Sequence, residues 1–314
     1  MASEDHVIPS SQDATRRALE LLQRLGLPAP DVIGHRIVHG GPQVLEHTIV
    51  TEAVVRKLEA AATFAPLHAP AALAILGISQ SRFPGIPQVA CLDTVFHAHM
   101  PEVARQFPLP PEFDARGIRR YGFHGISCES IIRRLGATVP PRMVIAHLGS
   151  GASVTAVQYG QSLDTSMALT PTSGMMMATR SGDLDPGLLL YLIRTERYSV
   201  DTLETLLDRQ SGLTGVSGVS GDLRELHRAA PKCERARLAI AMYCYSARKH
   251  ISAMVSALEG LDLLVFTGGI GEHDENIRAG ICSGLVWIGS VSVRTMASME
   301  EEQIALHATR LTGR

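Results

Sequence analysis

Two short glycine-rich stretches carry the clearest chemical signal in the chain: AHLGSGASV at residues 146–154 and GGIGEH at residues 268–273. Each follows an apolar run, where a strand should end. Glycines at such a point expose backbone N–H groups, and the resulting concavity suits phosphate oxygens. Neither stretch is G-x-x-x-x-G-K-[ST], and G-G-x-G lacks the spacing of the dinucleotide fingerprint. Taken alone, each also reads as a tight turn that needs positive φ.

Around the first stretch, MVIAHL, ASVTAVQ and SLDTSM form three short strands joined by glycine turns, an antiparallel meander. Ahead of it helices and strands alternate. Ser10 or Ser11 can cap a helix running to about Leu25, ended by Gly26 and Pro28. VIGHRIVHGG reads as a strand and glycine turn, residues 51–62 and 69–79 as helices, and IPQVACLD (86–93) as a buried strand. Behind the meander, helices are expected over 186–196, 201–210, 231–258 and 298–310, with LDLLVFTGGIGEH as a buried strand entering the second glycine loop. The alternation implies an α/β layer architecture.

The balance of 29 basic and 31 acidic side chains, net −2, offers no surface for nucleic acid or membrane. A small molecule is the expected partner. Five scattered cysteines (91, 128, 233, 244 and 282) form no C-x-x-C pair, which fits a reducing, cytoplasmic setting. MASEDHVIPSS lacks the basic and apolar blocks of a signal peptide, and no apolar run approaches the ~18 residues of a membrane span.

Six further motifs complete the pattern: HRIVHGG (35–41), APLHAPAAL (65–73), CLDTVFHAHMP (91–101), RRYGFHG (119–125), DTSMALTPTSGMMMATRSGDLDP (164–186) and SGVSGDLREL (217–226). Together with HLGSGASV and VFTGGIGEH they closely resemble, in order and from about residue 30 to the C-terminus, the acetate kinase family of acyl-phosphate-forming kinases. A meander with glycine at its first turn, followed by a strand ending in G-G-x-G, also resembles the actin, hexokinase and Hsp70 superfamily. The resemblance implies a two-domain actin/hexokinase-like (ribonuclease H-like) α/β fold with mixed sheets and a truncated first half. It places an incomplete acid-binding half at residues 1–94, joined by a C-terminal helix (298–314), and a nucleotide-binding half at 95–297.

The implied reaction is reversible transfer of the ATP γ-phosphoryl group to acetate or propionate, giving ADP and an acyl phosphate. Mg²⁺ is the implied cofactor, with Mn²⁺ as the alternative ion, and a homodimer is the implied assembly. A carboxylate oxygen attacks phosphorus in line, so the protein must hold two anions and stabilise charge on the equatorial oxygens. By motif position Arg36 and Arg180 are the clamping arginines, suited by their planar forks. His124 is the histidine that donates to the phosphoryl oxygens, and Asp93 the aspartate that orients substrate or reaches the metal. Glu300 is the metal ligand, with Glu301 the near alternative. Val38, Leu67, Phe123 and Pro171 would line the acid pocket. One methylene there is worth only ~1–3 kcal/mol, so acetate and propionate are not separated. His147, Gly149, Ser150 and Gly151 would face the nucleotide phosphates, Asp222 and Arg224 the adenosine, and Gly269, Gly271, Glu272 and His273 the far wall.

The chain departs from the family pattern in several places. It shows no opening N-x-G-S-S-S-x-K, which should leave the first sheet with an unpaired edge and the metal a ligand short. Ser150, Ala69 and His273 stand where asparagines are usual, and residues 290–299 replace a longer stretch carrying a strand or hairpin. These departures keep a second possibility open, a family member that binds nucleotide or a partner without turnover.

Overall fold

A computed structural model describes residues 13, 16, 17, 20, 21, 24–26, 28–66 and 68–314. The helix expected between Ser10 and Leu25 therefore lies largely outside the described residues, and Leu67 lies wholly outside them. The chain divides into two compact units, Met1–Val95 with Glu300–Arg314, and Phe96–Met299.

In the first unit, β1 (Ile33–Ile37) runs parallel to β3 (Gln88–Leu92), and the two-residue β2 (Thr48–Ile49) lies antiparallel on the other side of β3. Among the described residues, no strand pairs with the outer side of β1. All five residues of β3 are buried, as a central strand covered on both faces requires. Helices α1 (Glu52–Ala60), capped by Thr51, and α2 (Ala69–Arg82) bring Leu58 and Leu76 onto Ile37, Ala90 and Leu92. Ala69 starts α2 without any side-chain cap. The C-terminal helix, α11 below (Glu300–Thr312), returns to β1 and β3, and Gly34 is what lets it seat. A Cβ on Gly34 would stand 2.4 Å from Ile304 Cγ2.

The second unit is built on a five-stranded sheet in the order β6-β5-β4-β7-β8. The meander appears as β4 (Arg142–Leu148), β5 (Ala152–Gln158) and β6 (Gln161–Thr165), all antiparallel. Tyr159 and Gly160 both take positive φ, 49° and 81°, in the two-residue loop between β5 and β6, the handedness that matches strand twist. Strand β7 (Leu263–Thr267) runs parallel to β4, and β8 (Ser292–Thr295) parallel to β7. That last strand lies within the shortened 290–299 stretch and is exposed at every residue, so no apolar alternation marked it in advance.

Helix α3 (Gly125–Leu135) covers one face of this sheet with Cys128, Ile131 and Leu135 against Met143, Ile145, Val157 and Val265. Helices α4 (Pro186–Arg194), α5 (Val200–Arg209), α6 (Gly212–Ser217) and α7 (Leu223–Ala229) follow the meander. The 24-residue α8 (Glu234–Ala257) buries Ala236, Ala239, Tyr243, Ala247, Ile251 and Met254, a stripe at three- and four-residue spacing that packs on β4, β5 and β6. The second glycine stretch differs from the expected loop. Gly268 takes φ +76° and residues Gly268–His273 form a short helix, α9, followed by α10 (Glu275–Cys282).

Candidate active site

Each unit carries its own convergent set of polar groups. In the second unit, the end of β4 places His147 and the Gly149-Ser150-Gly151 turn beside the start of α3, where His124 sits. His124 adopts the left-handed conformation (φ 60°, ψ 25°), an uncommon state for a non-glycine residue that turns its ring out of the helix. Its Nδ1 lies 3.0 Å from Ser153 Oγ, and His147 Nδ1 lies 2.9 Å from Ser127 Oγ. The two imidazoles stack at 4.1 Å between centroids, 15° from parallel. Each ring therefore holds one nitrogen on a buried serine and directs Nε2 toward the glycine turns.

At those turns the backbone and the polar side chains come close together. A Cβ on Gly151 would stand 3.3 Å from Arg180 Nη1 and 3.5 Å from His124 Nε2, so Gly151, Arg180 and His124 surround one small seat. A Cβ on Gly268 would stand 3.1 Å from His147 Nε2 and 2.7 Å from the Leu148 carbonyl, which requires glycine there and lets the backbone come close. Gly269 is exposed, with nothing within 4 Å of a Cβ position. Parallel pairing of His147 with Thr267 brings the two glycine stretches, distant in sequence, side by side. Thr267 Oγ1 is buried and unpartnered among the described residues.

Arg180 reaches the seat from the Gly174–Asp183 segment, donating from Nη1 to the Pro171 carbonyl at 3.3 Å. Burial lowers its pKa, while the nearby Asp208 carboxylate acts in the opposite sense. Phe123 is 1% exposed, and its carbonyl meets His97 Nε2 at 3.1 Å. His97 accounts for the glycine of YGFHG, since a Cβ on Gly122 would lie 2.6 Å from its ring.

In the first unit, Asp93 directly follows β3 with 1% of its side chain exposed and forks Arg36. Arg36 Nη2 donates to Oδ2 at 2.7 Å, and Nε to both oxygens at 3.1 and 3.2 Å. Burial acts against the Arg36 charge, but Asp93 and Glu300 outweigh it and its pKa is raised. Arg36 Nη1 faces Glu300 Oε2 at 3.4 Å. Burial pushes the Glu300 carboxyl from its ordinary 4.5 up to about 7, against the pull of Arg36 and with the push of Asp93 and Glu301. Glu300 Oε1 is buried and has no partner among the described residues, whereas Glu301 is exposed. Of the two glutamates, Glu300 is the one that faces the Arg36–Asp93 pair.

The carboxylates of Asp93 and Glu300 fit a hard divalent cation, which prefers oxygen donors and would take up the unpartnered Oε1. The Arg36 fork expected to clamp an anion is occupied by Asp93 instead. Val38 is half-buried just past β1. Asp222 caps α7 and forks Arg224, whose side chain is 82% exposed, so the arginine expected to face the adenosine is held by its neighbour. Glu272 Oε1 accepts from the Ser298 N–H at 3.1 Å, and His273 is exposed at the end of α9. Gly271 is buried below Gly269, near the Ala146 carbonyl.

Ser127 and Ser153 are the orienting residues that motif reading passed over. Both have a signal in hindsight: Ser153 pairs with His147 in the β4–β5 register, and Ser127 lies one helical turn past His124.

The meander, the glycine turns at the ends of β4 and β7, and the α8 cover define an α/β protein of the actin/hexokinase-like class. Residues 7–306 match the acetokinase family. An acetate kinase of Acaryochloris marina is 42% identical over 289 residues, covering 90% of this chain and 71% of that relative. The crystal structure of Porphyromonas gingivalis acetate kinase superposes with a TM-score of 0.87 at 35% identity, covering 95% of this chain and 84% of that one. A propionate kinase of Francisella tularensis superposes at 0.90 and 34% identity, covering 96% and 84%. The chain belongs to the acetokinase family. It spans about two thirds of the length of its curated relatives, 71% of the first and 64% of an acetate kinase of Cyanothece sp..

Proposed function

We propose that the chain catalyses reversible, Mg²⁺-dependent transfer of the γ-phosphoryl group from ATP to acetate or propionate. The observation that carries this reading is the seat at Gly151, flanked by Arg180 Nη1 and His124 Nε2. The names of the relatives, acetate kinase and propionate kinase, supply the acceptor class.

In this reading a carboxylate oxygen of the acid attacks the γ-phosphorus, and the bond from that phosphorus to the ADP oxygen breaks. Arg180 and His124 Nε2 donate to the equatorial oxygens, where negative charge accumulates. Ser153 fixes the His124 ring so that this donor needs no reorganisation. His147, Gly149, Ser150 and Gly151 receive the phosphates, Gly269, Gly271, Glu272 and His273 form the far wall, and Asp222 and Arg224 lie toward the adenosine. Val38, Leu67, Phe123 and Pro171 receive the alkyl group. Asp93 and Glu300 would hold the Mg²⁺, which when bound neutralises phosphate charge. Arg36 holds those two carboxylates together, a different role from the anion clamp its motif suggests.

The exposed apolar side chains of α4, Leu188, Leu190, Tyr191 and Ile193, support a homodimer. The free cysteines support a reducing, cytoplasmic location. A second reading, nucleotide binding without turnover, is favoured by one observation, the occupied fork of Arg36. A hydroxamate assay with ATP, Mg²⁺ and acetate, propionate or butyrate separates them. Activity that Arg180→Ala abolishes supports the kinase. Activity that survives Arg180→Ala refutes the site, and binding of ATP with no activity on any acid favours the second reading.

A further inference from the structure

The segment that delivers Arg180 is closed by a polar neck. The Gly174 N–H donates to Asp183 Oδ1 at 2.7 Å, and the Asp183 N–H donates back to the Gly174 carbonyl at 2.8 Å. Gly174 and Gly182 both take positive φ here, and a Cβ on Gly182 would stand 2.5 Å from the Gly174 carbonyl. Inside the neck, Met175, Met176 and Met177 are buried, and the chain turns so that the Met177 N–H donates to the Arg180 carbonyl at 3.1 Å.

Helix α8 grips this neck on successive turns. Ser246 Oγ accepts from the Met176 N–H at 3.0 Å, and His250 Nε2 meets Asp183 Oδ2 at 3.3 Å. His250 Nδ1 meets the Ser246 carbonyl at 2.9 Å. Both nitrogens of this imidazole thus face oxygen atoms, one on α8 and one on the neck. Burial would raise the Asp183 carboxyl, but His250, the Gly174 N–H and the Arg120 charge together hold it below its ordinary value. None of these groups touches the seat at Gly151, and no family motif named here contains His250.

We propose that Asp183 and His250 are a positioning pair: α8 fixes the neck of the 174–183 loop through them and so holds the Arg180 guanidinium at the phosphoryl seat. The activity part of the test rests on the kinase reading above; the exchange part does not.

The experiment compares wild type, His250→Ala and His250→Gln by hydrogen exchange of residues 175–183 and by steady-state kinetics. Glutamine can place a donor where His250 Nε2 stands, whereas alanine cannot. In His250→Ala the amides of the loop are expected to exchange at least roughly tenfold faster, with β4 and β5 unchanged, and in His250→Gln protection returns in large part. In turnover, kcat is expected to fall about tenfold in His250→Ala while KM for ATP changes less than about twofold, because the lost alignment acts on the transition state. Unchanged loop exchange in His250→Ala overturns the proposal, as does a His250→Gln variant indistinguishable from alanine. If His250→Ala does not fold, Asp183→Asn, which keeps the acceptor for Gly174 and loses the charge facing His250, takes its place with the same two readouts. A wild type without turnover overturns the kinase reading alone, since loop exchange still decides on the pair.

Discussion

Glu300 offers the sharpest quantitative consequence. Its carboxyl stands at about 7 instead of 4.5, driven first by burial and then by Asp93 and Glu301. The folded protein therefore holds a proton that the unfolded chain releases above 4.5, and unfolding free energy falls as pH rises from 4.5 toward 7. With only 15% of the side chain exposed, the difference corresponds to about 3 kcal/mol, lost by pH 8. Glu300→Gln removes the titration, so its urea-unfolding free energy should lack this fall relative to wild type between pH 5 and pH 8. Magnesium should reverse the fall in wild type, because the ion takes the place of the proton on Glu300. Ligand at about a hundred times Kd restores roughly 2.7 kcal/mol. Below pH 7 the apparent affinity should weaken by about tenfold per pH unit, and Glu300→Gln should show little gain at any pH. The measurement is a urea titration at half-unit pH steps, with and without Mg²⁺. Equal pH dependence in the two proteins, or an equal magnesium gain, would refute the assignment of Glu300.

Other consequences test the remaining groups. Gly151→Ala places a methyl group 3.3 Å from Arg180 Nη1 without straining the backbone, so Tm should stay within about 2 °C while ATP affinity, read by calorimetry, falls at least about tenfold. Arg180→Lys keeps the charge but loses the fork, and kcat should drop by roughly 10²–10³. His97 is held down at about 4 by burial, against an ordinary 6.5. The unfolded chain gains a proton below 6.5 that the folded protein refuses until about 4. His97 should thus account for about 3 kcal/mol of stability lost on acidification through that window, and His97→Gln should show a shallower acid limb in urea titrations.

The elements that position the site were legible because period and punctuation agree in them. MVIAHL and LLVFT are short apolar runs bounded by glycine, and the α8 stripe repeats at helical spacing over its whole length. Strands β2 and β8 escaped notice because two residues, or four exposed ones, carry no periodicity. The second glycine stretch reads as a loop, yet once Gly268 has supplied the positive φ, the residues after it fall into a helix. The family resemblance singled out Asp93, His124, Arg180 and Glu300 by motif position. It did not show which partner each side chain would choose. Arg36 turned to Asp93, and Arg224 to Asp222, because a carboxylate within reach of a guanidinium in the folded chain forms the stronger pairing. Ser127, Ser153 and His250 act through hydrogen bonds that depend on register and helix packing, which no local pattern contains.

The central claim is that the acid's own oxygen attacks the γ-phosphorus, and isotope transfer tests it most directly. With [¹⁸O₂]acetate, ATP and Mg²⁺, the ³¹P resonance of the acyl phosphate should carry the upfield shift of one ¹⁸O, the bridging atom, and ADP should form in equal amount. ADP accompanied only by unlabelled phosphate, or no ADP at all, would contradict the account.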